Sequence, residues 1–171
     1  MQIRKAQTKD ALNIIYLKTQ VWLHTYATKG IGNEYSEYLK EDFTLSRTKE
    51  TIMNKNKYCF VAEQDNFLIA YCEINLMAVH PISKLNSAEM TVLYVSEHFH
   101  GQGIGKALLI ETEDLLKGLA YSSYWLSCYI ENKKAIQFYK SKGFNSIGST
   151  YFTMGENQYE NLILQKGVSN H

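Results

Sequence analysis

The chain has 171 residues, of which 45 % are hydrophobic and 20 % charged. That is a globular composition with room for one ordinary domain of roughly 150 residues. Eighteen Lys and Arg against 17 Asp and Glu leave a formal charge of +1, so no global field draws the chain to nucleic acid or to an anionic membrane. No stretch approaches the ~18–20 apolar residues that a membrane helix needs. Met1-Gln2-Ile3-Arg4-Lys5 has no apolar run behind its charges, which argues against an ordinary secretory signal. Cys59, Cys72 and Cys128 are far apart, form no CxxC pair and sit in apolar runs. They read as buried reduced thiols, neither zinc ligands nor a disulfide framework, and the expected location is cytoplasmic.

In chain order, Gln2–Ala6 reads as a short strand, with Thr8 as helix N-cap. Leu12, Ile15, Tyr16, Thr19, Trp22, Leu23 and Tyr26 then recur at helical spacing. Lys29-Gly30-Ile31-Gly32 breaks that helix. A second one follows Asn33 with Tyr35, Tyr38, Leu39 and Phe43 on one side, and a weaker third covers Ser46–Lys55. Tyr58–Gln64 and Phe67–Leu76, the latter running towards Val79, form a hairpin around Asp65-Asn66. Ala88–Val95 is the next strand. Ile104–Lys117 is a helix with Leu108, Leu109, Thr112, Leu115 and Leu116 inward, ending near Gly118. Tyr124–Ile130 is a strand, and Asn132 caps a short helix, Lys133–Lys142, stopped by Gly143. Strands near Asn145–Met154 and Tyr159–Lys166 close the chain. The result is a mixed α/β (α+β) fold with a strand–helix–strand unit at its centre.

Chemistry concentrates in Glu89–Val95 followed by His100-Gly-Gln-Gly-Ile-Gly-Lys106. Gly101, Gly103 and Gly105 let the backbone turn tightly and approach a ligand. The unpaired amides and dipole of the next helix favour a phosphate or pyrophosphate. The plain alternative is an ordinary strand-to-helix turn, which does not need three alternating glycines. A Walker A loop would need Gly at 100 and Ser or Thr at 107, where His100 and Ala107 stand. A dinucleotide fingerprint would need Gly where Lys106 stands.

The loop resembles the Arg/Gln-x-x-Gly-x-Gly/Ala pyrophosphate loop of the GNAT superfamily of N-acetyltransferases. His100 replaces the usual Arg or Gln, and Gly103 and Gly105 match the two small residues. Asn132-Lys-Lys-Ala-Ile-Gln-Phe-Tyr-Lys-Ser-Lys-Gly-Phe144 is similar to the family's Asn-x-x-Ala-x-x-Phe-Tyr-x-x-x-Gly-Phe. Glu63–Tyr71 is similar to its β2–β3 hairpin, and Glu89–Val95 to its fourth strand. The resemblance implies a single domain over residues 1–171. Its central mixed sheet would have six to seven strands, with strands 4 and 5 splayed, flanked by about four helices.

It also implies acetyl-CoA as cosubstrate, without a metal, and a primary amine as acceptor. In that frame, backbone groups of Leu93, Tyr94 and Val95 meet the pantetheine amides as an added strand would. The segment His100, Gly101, Gln102, Gly103, Ile104, Gly105 and Lys106 holds the pyrophosphate. Asn132 reaches the cofactor arm and Phe138 packs beside it. Tyr139 protonates the departing thiolate, since a phenol is protonated at neutral pH, though its position also suits plain core packing. Glu89 on the splayed strand is the candidate base, directly or through a water, with His80, His98 and His100 behind it. Trp22, Tyr26, Glu34 and Tyr38, with Glu89, are the candidate acceptor contacts. Aromatics beside carboxylates suit an aliphatic polycation, although a solvated helix face explains them equally. Across its length, and at Tyr151-Phe152-Thr153-Met154-Gly155, the chain looks similar to bacterial polyamine N-acetyltransferases. Acetylation of a protein N-terminus or another small amine, and a non-catalytic acyl-CoA-binding module, stay open. So does monomer against homodimer.

Overall fold

A computed structural model of the chain describes residues 1–168. Its strands are β1 (Gln2–Lys5), β2 (Lys57–Gln64), β3 (Phe67–Val79), β4 (Asn86–Val95), β5 (Ser123–Tyr129), β6 (Asn145–Met154) and β7 (Asn157–Gly167). Its α-helices are α1 (Ala11–Tyr26), α2 (Asn33–Asp42), α3 (Leu45–Met53), α4 (Ile104–Gly118) and α5 (Lys133–Ser141). The seven strands form one mixed sheet in the order β1-β2-β3-β4-β5-β7-β6. The weak third helix is real, because Thr44 caps it by accepting from the Arg47 N–H.

Two compact units are distinguished by their internal packing. The first is Met1–Ile74 with Val92–Leu109. Its core gathers Ala6, Ile14, Leu17, Cys59, Val61 and Tyr71, with Ile52, Leu68 and Val92 packed against them. β1 pairs antiparallel with β2 from Gln2↔Glu63 to Lys5↔Phe60. The β2–β3 turn places Asp65 at φ 52° and Asn66 at φ 67°, the two left-handed residues of a type I′ hairpin, a conformation that Asn and Asp tolerate.

Two local expectations fail here. Thr8 is not the cap of α1. Thr8–Asp10 is a 3₁₀ turn leading into the helix, and Asp10 instead accepts from the Gln7 N–H at 2.8 Å. The inward face of α1 is Ala11, Ile14, Leu17 and Trp22, while Leu12 and Tyr16 are exposed. The helix is apolar around much of its circumference, so spacing alone does not choose between neighbouring stripes.

The second unit is Asn75–Thr91 together with the chain from Ile110 onward. β5 and β7 pair antiparallel from Ser123↔Gly167 to Tyr129↔Asn161, and β6 folds back on β7. Ala78, Trp125 and Ile163 form one buried cluster. The rings of Tyr124, Phe144 and Tyr139 form another, at centroid separations of 5.2 and 5.4 Å. α4 ends at Gly118, but its left-handed terminal residue is Ala120 at φ 60°. Gly143, at φ 89°, ends α5 as its position predicts.

The three thiols are free and buried. Burial pushes those of Cys59 and Cys128 up to about 11.

Candidate active site

In the first unit, β4 ends at Val95 and a 3₁₀ turn, Glu97–Phe99, carries the chain to the glycine loop. The turn is anchored by Ser96 N–H donating to the Ile69 carbonyl at 2.9 Å, and by His100 N–H donating to the Glu97 carbonyl at 3.0 Å. Gly101 and Gly103 then take φ 76° and 79°, values that side-chain-bearing residues rarely adopt. α4 begins at Ile104, which is buried, and the Ala107 N–H reaches back to the Gly103 carbonyl at 3.0 Å. The amides of Ile104, Gly105 and Lys106 therefore lie in the first turn, where no preceding helical carbonyl exists to receive them. A Cβ built on Gly101 or Gly103 would meet no atom within 4 Å. These glycines leave the loop backbone facing open space instead of a packing contact. Gln102 and His100 brace it, by Nε2 to the His98 carbonyl at 3.3 Å and by Nε2 to the Val95 carbonyl at 2.9 Å.

Leu93, Tyr94 and Val95 are half-buried at the end of β4. Beside Val95, a groove of about 110 Å³ is lined by Gln20, Val21, His24, Thr25, Glu97 and His100. His24 Nε2 lies 3.2 Å from Glu97 Oε1 across it. Neither His24 nor Glu97 carries a sequence signal, because the contact joins α1 to a turn over seventy residues away.

The α1–α2 aromatics form a stack around Trp22. Its ring is 4.8 Å from Tyr26, 5.2 Å from Tyr35 and 5.3 Å from Tyr38. Trp22 is only 4 % exposed, so any contact with an acceptor falls to the half-buried rings around it. Burial, then Asp42, raises the Tyr38 hydroxyl far above its ordinary range. The acidic cluster is partly neutralised, since Asp42 pairs with Arg47 and Glu37 with Lys40. Glu34 lies in the first turn of α2, half-buried.

A small polar cavity, about 30 Å³, lies among Lys18, Asp42, Arg47, Thr48, Thr51, Tyr71 and Glu73, room for about one water. Glu73 accepts from Lys57 at 3.1 Å and from the Tyr71 hydroxyl at 3.0 Å. Burial lowers the Lys18 ammonium, opposed by Glu73 and Asp42.

In the second unit, Glu89 is half-buried on β4, opposite Trp125 in a parallel register with β5 that covers Ala88↔Tyr124 and Glu89↔Trp125. β4 runs on to Val95, and β5 runs on paired with β7. Asn132 caps α5 with its side chain, Oδ1 accepting from the Ala135 N–H at 3.2 Å. That engages one oxygen and leaves the amide NH₂ as donor. Phe138 is half-buried beside Tyr139, with ring centroids 5.3 Å apart. Tyr139 is 9 % exposed, its ring held between Phe138 and Phe144. His80, one of the reserve bases, is also buried, with Nδ1 accepting from the Ile82 and Ser83 N–H groups. Among the described residues no three His, Cys, Asp or Glu side chains gather as a metal cluster, and no helix is long and apolar enough to cross a membrane.

Spermidine N(1)-acetyltransferase of Thermoplasma acidophilum is 29 % identical over 149 residues, covering 84 % of this chain and 88 % of that protein. The [ribosomal protein bS18]-alanine N-acetyltransferase of Haemophilus ducreyi is 30 % identical over 124 residues, covering 68 % and 79 %. Among solved structures, the PaiA N-acetyltransferase of Thermoplasma acidophilum in complex with coenzyme A superposes with a TM-score of 0.80. It is 24 % identical and covers 97 % of this chain and 98 % of that one. The sequence model of the acetyltransferase (GNAT) family matches residues 22–144, well over half of the molecule, and the chain accordingly belongs to that family.

Proposed function

We propose that this single 171-residue domain transfers the acetyl group of acetyl-CoA to a primary amine, with a polyamine as lead acceptor, by direct attack in a ternary complex. The observation that carries the reading is the open, positive-φ glycine loop, Gly101–Gly103, feeding the first turn of α4. Its amides suit the cofactor's pyrophosphate. The end of β4, Leu93–Val95, suits the pantetheine amides, and the Asn132 NH₂ and the Phe138 ring suit the rest of that arm.

The amine nitrogen attacks the thioester carbon, the C–S bond breaks, and the proton lost by the amine passes to Glu89, directly or through a water. The thiolate takes a proton from Tyr139. A phenol, protonated at neutral pH, can donate as the C–S bond breaks and charge builds on sulfur, after which solvent returns a proton to Tyr139 and takes one from Glu89; the ring contacts with Phe138 and Phe144 favour a fixed direction for that hydroxyl.

For the acceptor, the half-buried rings of Tyr26 and Tyr38, packed on Trp22, with Glu34 and Glu89, support a polyamine. The spermidine-acetylating relative supports it too. The relative that acts on a ribosomal-protein alanine favours a second reading, acetylation of a protein N-terminus. Thiol release from acetyl-CoA across polyamines, aminoglycosides, amino acids and peptides separates the possibilities. Spermidine leading by kcat/KM supports the proposal, and a leading Ala-peptide replaces it with the second reading. Acetyl-CoA binding with no turnover on any amine leaves a non-catalytic module.

A further inference from the structure

Tyr139 lies in the last turn of α5, where carbonyl groups have no intrahelical donor. Its carbonyl is satisfied from beyond the helix, accepting from the Lys142 N–H at 2.9 Å and the Phe144 N–H at 3.1 Å. Its ring also packs on that of Phe144. The pose of Tyr139 therefore depends on Phe144 through both backbone and side chain. Phe144 is buried, and its ring meets the Tyr124 ring at 5.2 Å and the Lys166 ammonium at 6.0 Å. The Lys166 stem passes close to the preceding residue, since a Cβ on Gly143 would lie 3.6 Å from Lys166 Cε. Both side chains that hold Phe144 end on one atom. Glu113 Oε1, on α4, accepts from the Tyr124 hydroxyl at 2.8 Å and from Lys166 Nζ at 2.6 Å. The ion pair is largely shielded, with Lys166 22 % and Glu113 25 % exposed, and hydrogen bonds to a charged group are the stronger kind.

We propose that Glu113 is a positioning residue for acetyl transfer: by gathering Tyr124 and Lys166 at one oxygen it fixes Phe144, and through Phe144 the Tyr139 phenol. This rests on the reading of Tyr139 as the general acid. A proton donor works only within a narrow range of distance and direction. Without Glu113, the buried Tyr124 hydroxyl and the Lys166 ammonium lose their shared acceptor. Both side chains are then drawn towards water, and Phe144 loses two of the contacts that locate it.

The test is a double-mutant cycle read in kcat where chemistry limits the rate. E113A is expected to lower kcat about tenfold, part of the ~10²-fold that a misplacement of ~1 Å can cost, with KM for acetyl-CoA unchanged. E113Q keeps an oxygen for both donors and is expected to restore most of the rate. In a Y139F background, E113A is expected to cause no further loss of kcat. Its loss of melting temperature is expected to be the same in both backgrounds, because packing does not depend on the phenol oxygen. Where E113A does not fold, Y124F, which removes one hydroxyl and no ring, takes its place in the cycle. It is expected to lose a smaller part of kcat, again only while the Tyr139 hydroxyl is present. Wild-type kcat in the variant used, a loss that multiplies with that of Y139F, or an E113Q as slow as E113A overturns the proposal. Wild-type kcat in Y139F overturns the general-acid reading itself and the proposal with it.

Discussion

Arg4 holds Asp10 by two parallel hydrogen bonds, Nη1 to Oδ2 at 2.7 Å and Nη2 to Oδ1 at 3.0 Å. The same guanidinium reaches Glu63 through Nε at 3.0 Å and Nη2 at 2.6 Å. Since Glu63 lies on β2 and Asp10 at the entry to α1, one side chain joins strand pairing to helix placement.

The Arg4 guanidinium, helped by the Gln7 N–H, holds the Asp10 carboxyl below its ordinary range against the cost of burial. A depressed carboxylate contributes stability that is present above its unfolded value, near ~3.9, and is lost as pH falls through the folded value. R4M is expected to lower stability by about 3 kcal/mol, because it strands a buried charge. D10N is expected to flatten the acid side of the stability profile. Urea midpoints between about pH 5 and about pH 2 check both, and an unchanged acid slope in D10N would remove Asp10 from the account.

Gly103 has a φ of 79° that favours glycine, and a Cβ there would face open space. G103V is expected to weaken acetyl-CoA binding at least tenfold, or about 1.4 kcal/mol, because a branched side chain both strains that φ and projects into the open space over the loop amides. G103N separates the two effects, as Asn tolerates positive φ. If binding is limited by space, G103N is also weak. Native affinity in folded G103V refutes the pyrophosphate assignment.

Y139F removes one oxygen and keeps the ring between Phe138 and Phe144. The melting temperature and CoA affinity are expected to change little, while kcat falls by roughly 10²-fold or more, the usual contribution of a placed general acid. Wild-type kcat, measured where chemistry limits the rate, would reassign Tyr139 to packing.

E89Q is expected to move the acid limb of kcat/KM to higher pH or flatten it, because the amine, with a pKa near ~10.4, would then lose its proton to solvent. A superimposable pH profile would exclude Glu89 as base.

What the sequence made legible was set by local chemistry. The Asp65-Asn66 hairpin, the Asn132 cap, the Gly143 stop and the glycine loop all depend on a residue's own φ or on a neighbour three positions away, and each follows from its residue type. The misread features depend on distant partners. Asp10 displaced Thr8 because Arg4, six residues back, and Glu63, on another strand, organise that corner. The inward stripe of α1 was chosen by the core around Val61 and Tyr71, not by the helix's own pattern. In the candidate site, residues were nominated by the resemblance to the family's motifs. The commitment of the His100 ring to Val95, the burial of Trp22 and the neutralisation of Asp42 by Arg47 are three-dimensional facts with no linear signature.

The buried thiols carry a practical consequence for enzymology. A thiolate, not a thiol, reacts with a disulfide reagent. At assay pH, Cys59 and Cys128 are held neutral by burial, and Cys72 is wholly enclosed. A chromogenic disulfide present during turnover is therefore expected to meet only the CoA thiol that the reaction liberates, giving a continuous trace without background from the native protein. The same reagent in denaturant should count three thiols per chain, so that slow colour growth in the absence of amine becomes a direct readout of unfolding.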